Sequence, residues 1–388
     1  MFKLTKDKLH ELGASITVQE IYQQPELWQE VIDTYKEKEE TIQSYLKDIQ
    51  KEHSFVRVIF SGAGTSAFVG ETIAPYLNRV HRGKQWAFEA VATTDIVSSP
   101  TEFLEAETPT LLVSFARSGN SPESVKTIEL AQSIVKDLYQ ITITCAEEGK
   151  LAVAAQGDDK NLLLLQPERS NDQGFAMTGS YTCMTLTALL VFDTLSSDRK
   201  VSIIKQLIEM GQEVISREEE IQSLVDQPFN RIAYLGSDSL YGVAHEAGLK
   251  ILELTAGKVT TLHETPLGFR HGPKSYVDQQ TLVITFVSND KYTRLYDNDL
   301  INEVYHDQIA QAVISLDIDN SHNHDAAHFS YETGTTDLPD AYLALPYIVY
   351  AQTLAVMTAL KVGNKPDTPS PTGTVNRVVQ GVIIHDYK

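Results

Sequence analysis

Apolar residues set the first pattern in the chain. Leu27, Val31, Ile32, Tyr35, Ile42, Tyr45, Leu46 and Ile49 recur at helical spacing. Pro25 stands where a first helical turn tolerates a proline. The run Lys36-Glu37-Lys38-Glu39-Glu40 between them reads as a solvated face. The first fifty residues therefore predict a helical arm. Beyond it the period shortens. Val56–Phe60 is a β-rich run that ends in Ser61-Gly62-Ala63-Gly64-Thr65-Ser66, with a helical pattern to about Leu77. Thr110–Phe115 is a second run, ending in Ala116-Arg117-Ser118-Gly119-Asn120-Ser121, again with a helix after it. Gln140–Thr144 and Leu162–Leu165 are further apolar runs. Strands alternating with helices predict an α/β fold, a parallel sheet covered on both faces.

The second half has the same order. Arg231–Gly236 echoes Arg57–Gly62 at an offset of 174, and Thr281–Phe286 echoes Thr110–Phe115 at an offset of 171. Two echoes at nearly one offset predict a duplicated α/β domain. The boundary falls near residue 200, where Ser196-Ser197-Asp198-Arg199-Lys200 interrupts two helical stretches.

Composition narrows the function. The chain has 388 residues, 42% of them hydrophobic, enough for two or more domains. Lys+Arg total 32 and Asp+Glu 52, a net charge of −20. That disfavours nucleic-acid partners and anionic membranes. A local pocket can still be positive and take a small anion. Cys145 and Cys183 are isolated, so neither a disulfide framework nor a zinc knuckle is indicated. The start, MFKLTKDKLHELGAS, lacks a signal-peptide core, and no run of about 18 uninterrupted apolar residues is present, so a cytoplasmic protein is expected.

Candidate chemistry lies at the strand ends, where open parallel sheets bind ligands. Gly62 and Gly64 precede Thr65 and Ser66 at one helix start; Arg117, Ser118 and Ser121 surround another. Free N–H groups and a partial positive charge at a helix N-terminus suit a phosphate, and hydroxyls add donors without negative charge. Ser, Thr and Asn are also ordinary N-caps, but two such turns in one sheet favour anion binding. Gly62-x-Gly64 is not continued as GxGxxG, because Ala67 stands at the third glycine position. Glu89 and Asp95 are poor candidates for the acid of a dinucleotide site, and no ATP-type P-loop exists. The second-half turns, Gly236-Ser237-Asp238-Ser239 and Ser288-Asn289-Asp290, carry acids, so only the first copy is expected to bind phosphate. Thr178-Gly179-Ser180-Tyr181-Thr182 is a third hydroxyl cluster, equally readable as a cap.

The segment from His245 to Ser275, HEAGLKILELTAGKVTTLHETPLGFRHGPKS, is unusual. Leu249, Leu252 and Leu254 predict a mostly buried helix on which Lys250 and Glu253 share a face. Taken alone that pair reads as a surface ion pair. Downstream, Gly268 and Gly272 flank Arg270 and His271. A histidine and a carboxylate in one segment can divide general acid and base work. His322, His324, Asp325 and His328 match no metal motif and read as a polar loop.

Together these pieces resemble the sugar isomerase (SIS) domain family. They are most similar to its two-domain members related to the isomerase module of glucosamine-6-phosphate synthase, and within these to the galactosamine-6-phosphate deaminase/isomerase branch, often labelled tagatose-6-phosphate ketose/aldose isomerase. The carriers are SGAGTS (61–66), SFARSGNSPES (114–124), AMTGSYT (176–182), HEAGLKILELTAG (245–257), ETPLGFRHGPKS (264–275) and PTGTVNRVVQGV (371–382). The resemblance implies two tandem SIS domains, each a sheet sandwiched by helices. It divides the chain into a helical arm (1–50), a phosphosugar-binding domain (51–200), a domain carrying the catalytic helix and histidine loop (201–365) and a tail (366–388). It implicates Gly64, Thr65, Ser66, Ser118 and Ser121 in phosphosugar binding, with Thr178 or Ser180 nearer the sugar. Arg117 stands where the synthase has glutamine. Glu253 matches the enolisation base, Lys250 its accompanying lysine, which would steady the enol oxygen, and His271 the ring-opening histidine. In the synthase that histidine comes from a neighbouring subunit, which implies a homodimer or larger homo-oligomer. The synthase's tail lysine has no match, and Arg377 is the nearest cation.

The chain carries no counterpart of the synthase's glutaminase domain, so the expected direction is deamination. Galactosamine 6-phosphate would give tagatose 6-phosphate and ammonia, with no metal or organic cofactor. A plain ketose/aldose isomerase and a non-catalytic sugar-phosphate sensor are the alternatives. Sensors of this family usually carry a basic helix-turn-helix, which the Glu-rich first fifty residues do not resemble.

Overall fold

The computed structural model describes residues 4–318, 322–379 and 381–387. Met1 and Phe2 of the N-terminal reading, Asn320 beside the histidine-rich stretch and Gln380 of the last motif lie outside them. The chain divides into two compact units with interleaved segments. One comprises Leu27–Asp172, Gly179–Lys200 and Val375–Lys388; the other comprises Met1–Glu26, Gln173–Thr178 and Val201–Thr374.

Three helices open the chain: α1 (Lys6–Glu11), α2 (Ser15–Tyr22) and α3 (Gln24–Glu52). The first sheet follows: β1 (Val56–Ser61), α4 (Thr65–Val80), β2 (Trp86–Ala90), α5 (Thr93–Ser98), α6 (Pro100–Phe103), β3 (Thr110–Ala116), α7 (Pro122–Ile134), β4 (Leu138–Thr144), α8 (Lys150–Ala155), β5 (Asn161–Leu165) and α9 (Gly179–Phe192). All pairings are parallel, in the order β2-β1-β3-β4-β5. Every residue of β1, β3 and β4 is buried. Helices on both faces remove water from both sides of these strands, which is why they read as unbroken apolar runs. Arg57, inside β1, is held by Glu89 of β2 at 2.6 Å. Glu89 is therefore committed to a structural ion pair.

The second sheet is built from β6 (Arg231–Gly236), β7 (Thr260–Glu264), β8 (Thr281–Phe286), β9 (Ala312–Asp317) and β10 (Ala327–Ser330). Its order is β7-β6-β8-β9-β10, the same topology as the first, and again all parallel. Its helices are α10 (Ser197–Ser216), α11 (Glu218–Val225), α12 (Ser239–Thr255), α13 (Pro266–Phe269), α14 (Thr293–Asp307) and α15 (Asp340–Lys361). His328, expected in a loop, lies on edge strand β10. Among the described residues only α15 is long and apolar enough to cross a membrane, but 94% of its most apolar window is buried inside the protein. It packs against α12 and α11 as a core helix.

Polar contacts explain why the chain's first residues belong with the second sheet. Thr17 donates to Asp367 Oδ1 through its amide and hydroxyl, both at 2.8 Å. Gln24 donates to Gln352 at 2.6 Å, and the Glu20 carboxylate accepts the Gly174 amide at 3.1 Å.

Candidate functional site

In a sheet of order 2-1-3-4-5, the chain reverses direction between strands 1 and 3, and a crevice opens beyond their carboxyl ends. In the first sheet the turns at that point are Ser61–Ser66 after β1 and Arg117–Ser121 after β3. The turn after β1 requires its glycines. A Cβ on Gly62 would stand 2.5 Å from the Ser66 carbonyl carbon, and Gly64 has φ +55°. The turn delivers Thr65 and Ser66, both buried, to the first residues of α4. Gly64 is the N-cap and adds no side-chain bond. Ser121, the N-cap of α7, does not cap it; its hydroxyl bonds Ser124 Oγ at 2.6 Å instead. Ser118 accepts the Asn120 amide at 3.3 Å across Gly119, which has φ +64°. At both helix starts the N-cap residue, Gly64 or Ser121, makes no side-chain cap bond. An anion is the ligand such ends accept.

The third hydroxyl cluster is built differently. Asp172 caps α9, accepting the Gly179 amide at 3.1 Å, the Ser180 amide at 3.0 Å and the Ser180 hydroxyl at 2.6 Å. The Ser180 side chain is fully buried on this carboxylate, and Thr178 is fully buried as well. Arg377 of the tail donates to the Asp172 carbonyl at 3.0 Å, and Arg117 donates to the Arg377 carbonyl at 2.6 Å. Arg117, just after β3, thus holds the tail backbone, and Arg377 in turn holds the Asp172 backbone.

The corresponding crevice of the second sheet is closed by the chain's own acids. Its turn after β6 copies the first: a Cβ on Gly236 would lie 2.3 Å from the Leu240 carbonyl oxygen, and Asp238 takes φ +49° where the first copy has Gly64. Asp340 accepts the Ser288 hydroxyl at 2.5 Å and the Asn289 amide at 2.8 Å. Asp297 accepts the Ser288 amide at 2.9 Å and the Ser237 hydroxyl at 3.1 Å. Burial, with the nearby Asp340 charge adding to it, pushes the Asp297 carboxyl up to about 7. The acids that looked repulsive in the sequence were Asp238 and Asp290; sequence reasoning missed Asp297 and Asp340, which lie on helices and carried no local motif.

The second unit's candidate acid–base group lies on α12. Lys250 is fully buried, its ammonium 2.5 Å from Glu253 and 3.3 Å from Glu246. The expected surface ion pair is therefore an interior one. Burial alone would lower the Lys250 pKa; the Glu246 and Glu253 carboxylates outweigh it and raise it above the usual lysine value. Glu246 is also fully buried, whereas Glu253 is 23% exposed. The trio is a graded one: a charge kept inside, a cation between, and one carboxylate facing outward. Leu252, expected in the core, is 39% exposed, because the buried stripe runs through Glu246, Lys250, Ile251 and Leu254. His271 is exposed between α13 and a 3-10 turn at Pro273–Tyr276. Among the described residues no group of three or more His, Cys, Asp or Glu side chains is arranged to hold a metal ion.

Residues 52–192 match the SIS domain model. The chain is 41% identical over 385 residues to the D-galactosamine-6-phosphate deaminase AgaS of Shewanella sp. (strain ANA-3), covering 99% of this chain and 95% of that protein. It is 42% identical over 381 residues to the D-galactosamine-6-phosphate deaminase AgaS of Escherichia coli O157:H7, covering 96% of each. A crystal structure of tagatose-6-phosphate ketose/aldose isomerase from Escherichia coli superposes with a TM-score of 0.87 at 39% identity, covering 96% of each chain. The chain belongs to the D-galactosamine-6-phosphate deaminase family of SIS-domain proteins.

Proposed function

We propose that the protein is a phosphosugar isomerase/deaminase that converts galactosamine 6-phosphate and water to tagatose 6-phosphate and ammonia. The observation that carries this reading is the partly exposed carboxylate of Glu253 fixed by a buried ammonium, in a chain whose near-full-length relatives are named for that deaminase. The N-terminal turns of α4 and α7, with Gly64, Thr65, Ser66, Ser118 and Ser121, bind the phosphate dianion through backbone N–H groups and hydroxyls. Thr178 and Ser180 support the sugar-facing side, while Arg117 and Arg377 hold the backbone around it.

The reaction starts with His271 moving the anomeric hydroxyl proton to the ring oxygen, which breaks the C1–O5 bond and leaves an aldehyde. Glu253 takes the C2 proton, and the electron pair forms the C1–C2 double bond of an enolamine as O1 is protonated. Return of the proton to C1 gives a C2 iminium ion. Water adds there, ammonia leaves, and the ketose remains. The carbonyl acidifies C2, so these steps draw only on the chain's acid–base groups. Lys250, with its charge kept by Glu246, holds Glu253 in place. The enzyme works in the cytoplasm as a homo-oligomer of at least two copies.

Ammonia release measured over a panel of hexosamine 6-phosphates tests this directly. Galactosamine 6-phosphate should be the best substrate. The name of the Escherichia coli structure favours a second reading, aldose–ketose isomerisation without nitrogen, and a folded sample that isomerises hexose phosphates while releasing no ammonia from any amino sugar supports it.

A further inference from the structure

Only three residues, Arg270, His271 and Gly272, separate α13 from the 3-10 turn that follows. Gly272 has φ +124°, a conformation in which a side chain is strained, so the loop turns sharply right after His271. The cations on either side of His271 converge on one acid. Arg270 Nε donates to Glu303 Oε2 at 2.7 Å, and Lys274 Nζ donates to Glu303 Oε1 at 2.5 Å. Lys274 also pairs with Asp307, one helical turn further along α14, at 2.6 Å. Phe269, at the loop's start, is fully buried in a cluster with Leu300, Ile301 and Val304 of α14. The loop and α14 therefore share both an apolar contact and a bridging carboxylate. Lys274, and then Arg270, hold the Glu303 carboxyl below the usual carboxylate range, so the bridge stays charged at neutral pH.

Half-exposed ion pairs contribute little to stability, on the order of 1 kcal/mol or less. A single carboxylate gripping both flanks of a three-residue loop has a different consequence: it fixes where the residue between them points. We infer that Glu303 is a positioning residue for His271, holding the imidazole where it can transfer the ring-opening proton. The inference rests on the proposed role of His271 and deepens it.

The test is enzyme-accelerated anomer exchange of galactosamine 6-phosphate, followed by magnetisation-transfer NMR beside C2 deuterium exchange. His271→Asn sets the floor. Glu303→Gln should slow anomer exchange about tenfold or more, because small misplacements of a proton-transfer group cost that much. Its melting temperature should stay within a few degrees of the parent, and Glu303→Asp should recover part of the rate. C2 deuteration per ring-opening event should not fall, since Glu253 is untouched. Should Glu303→Gln not fold, Arg270→Gln releases one flank alone and should slow the same step. Wild-type anomer exchange in the Glu303 and Arg270 variants, with His271→Asn slow, overturns the inference. Wild-type exchange in His271→Asn removes the role of His271, and the inference with it.

Discussion

Lys250 and Glu253, three residues apart on α12, form an ion pair of 2.5 Å whose ammonium is fully buried while its carboxylate is 23% exposed. Glu246, fully buried, closes the other side at 3.3 Å. An interior lysine between two acids persists only because the acids offset its lost hydration, and removing it takes the cation away from the buried Glu246 carboxylate. Lys250→Met should therefore destabilise the protein by about 3–5 kcal/mol. The urea midpoint reads this. The double variant Glu246→Gln/Lys250→Met should recover much of the loss, because the buried carboxylate charge goes with its cation. Equal stability of Lys250→Met and the parent contradicts the interior placement.

Gly62 and Gly236 occupy equivalent turns, and a Cβ at either would overlap backbone, at 2.5 Å and 2.3 Å respectively. Both alanine variants should lose stability. Only Gly62→Ala should also weaken phosphate recognition, raising KM for galactosamine 6-phosphate about tenfold or more, because its turn positions Thr65 and Ser66 at the start of α4. Gly236→Ala should leave KM within about twofold, since Asp297 and Asp340 fill the donors of its crevice. Steady-state kinetics on folded samples of both separates the two turns.

Asp297 gives a pH signature. Its carboxyl is raised to about 7 in the fold from an ordinary value of 3.8, so the folded state binds the extra proton between those limits. Its contribution to stability is complete below pH 4 and is lost as pH rises through about 7. Asp297→Asn, which mimics the protonated acid, should match the parent at about pH 4 and below. It should then gain in melting temperature relative to the parent up to about pH 7, with the difference constant above. A difference that shrinks as pH rises contradicts the assignment.

What the sequence could show depended on which faces of each element meet water. β1, β3, β6 and β8 are buried throughout or nearly so, and their apolar runs located them within a residue. Edge strand β7, Thr260-Thr261-Leu262-His263-Glu264, is exposed or half-buried along its length and carries no such run. The glycine turns were legible because close backbone approach excludes a side chain. The burial of Lys250 was not, since a lysine three residues from a glutamate looks the same on a surface. Asp297, Asp340 and Glu303 act through contacts 9 to 52 residues away in the chain, beyond any local pattern.

The central claim is that Glu253 takes the C2 proton of a bound hexosamine phosphate. The most direct measurement is deuterium incorporation at C2 of galactosamine 6-phosphate in D2O, read by proton NMR for the parent and for Glu253→Gln, with binding followed in parallel by phosphorus NMR. The account predicts that Glu253→Gln binds the sugar phosphate as the parent does but exchanges C2 about 10²–10⁴-fold more slowly. Exchange at the parent rate in a folded Glu253→Gln protein would contradict it.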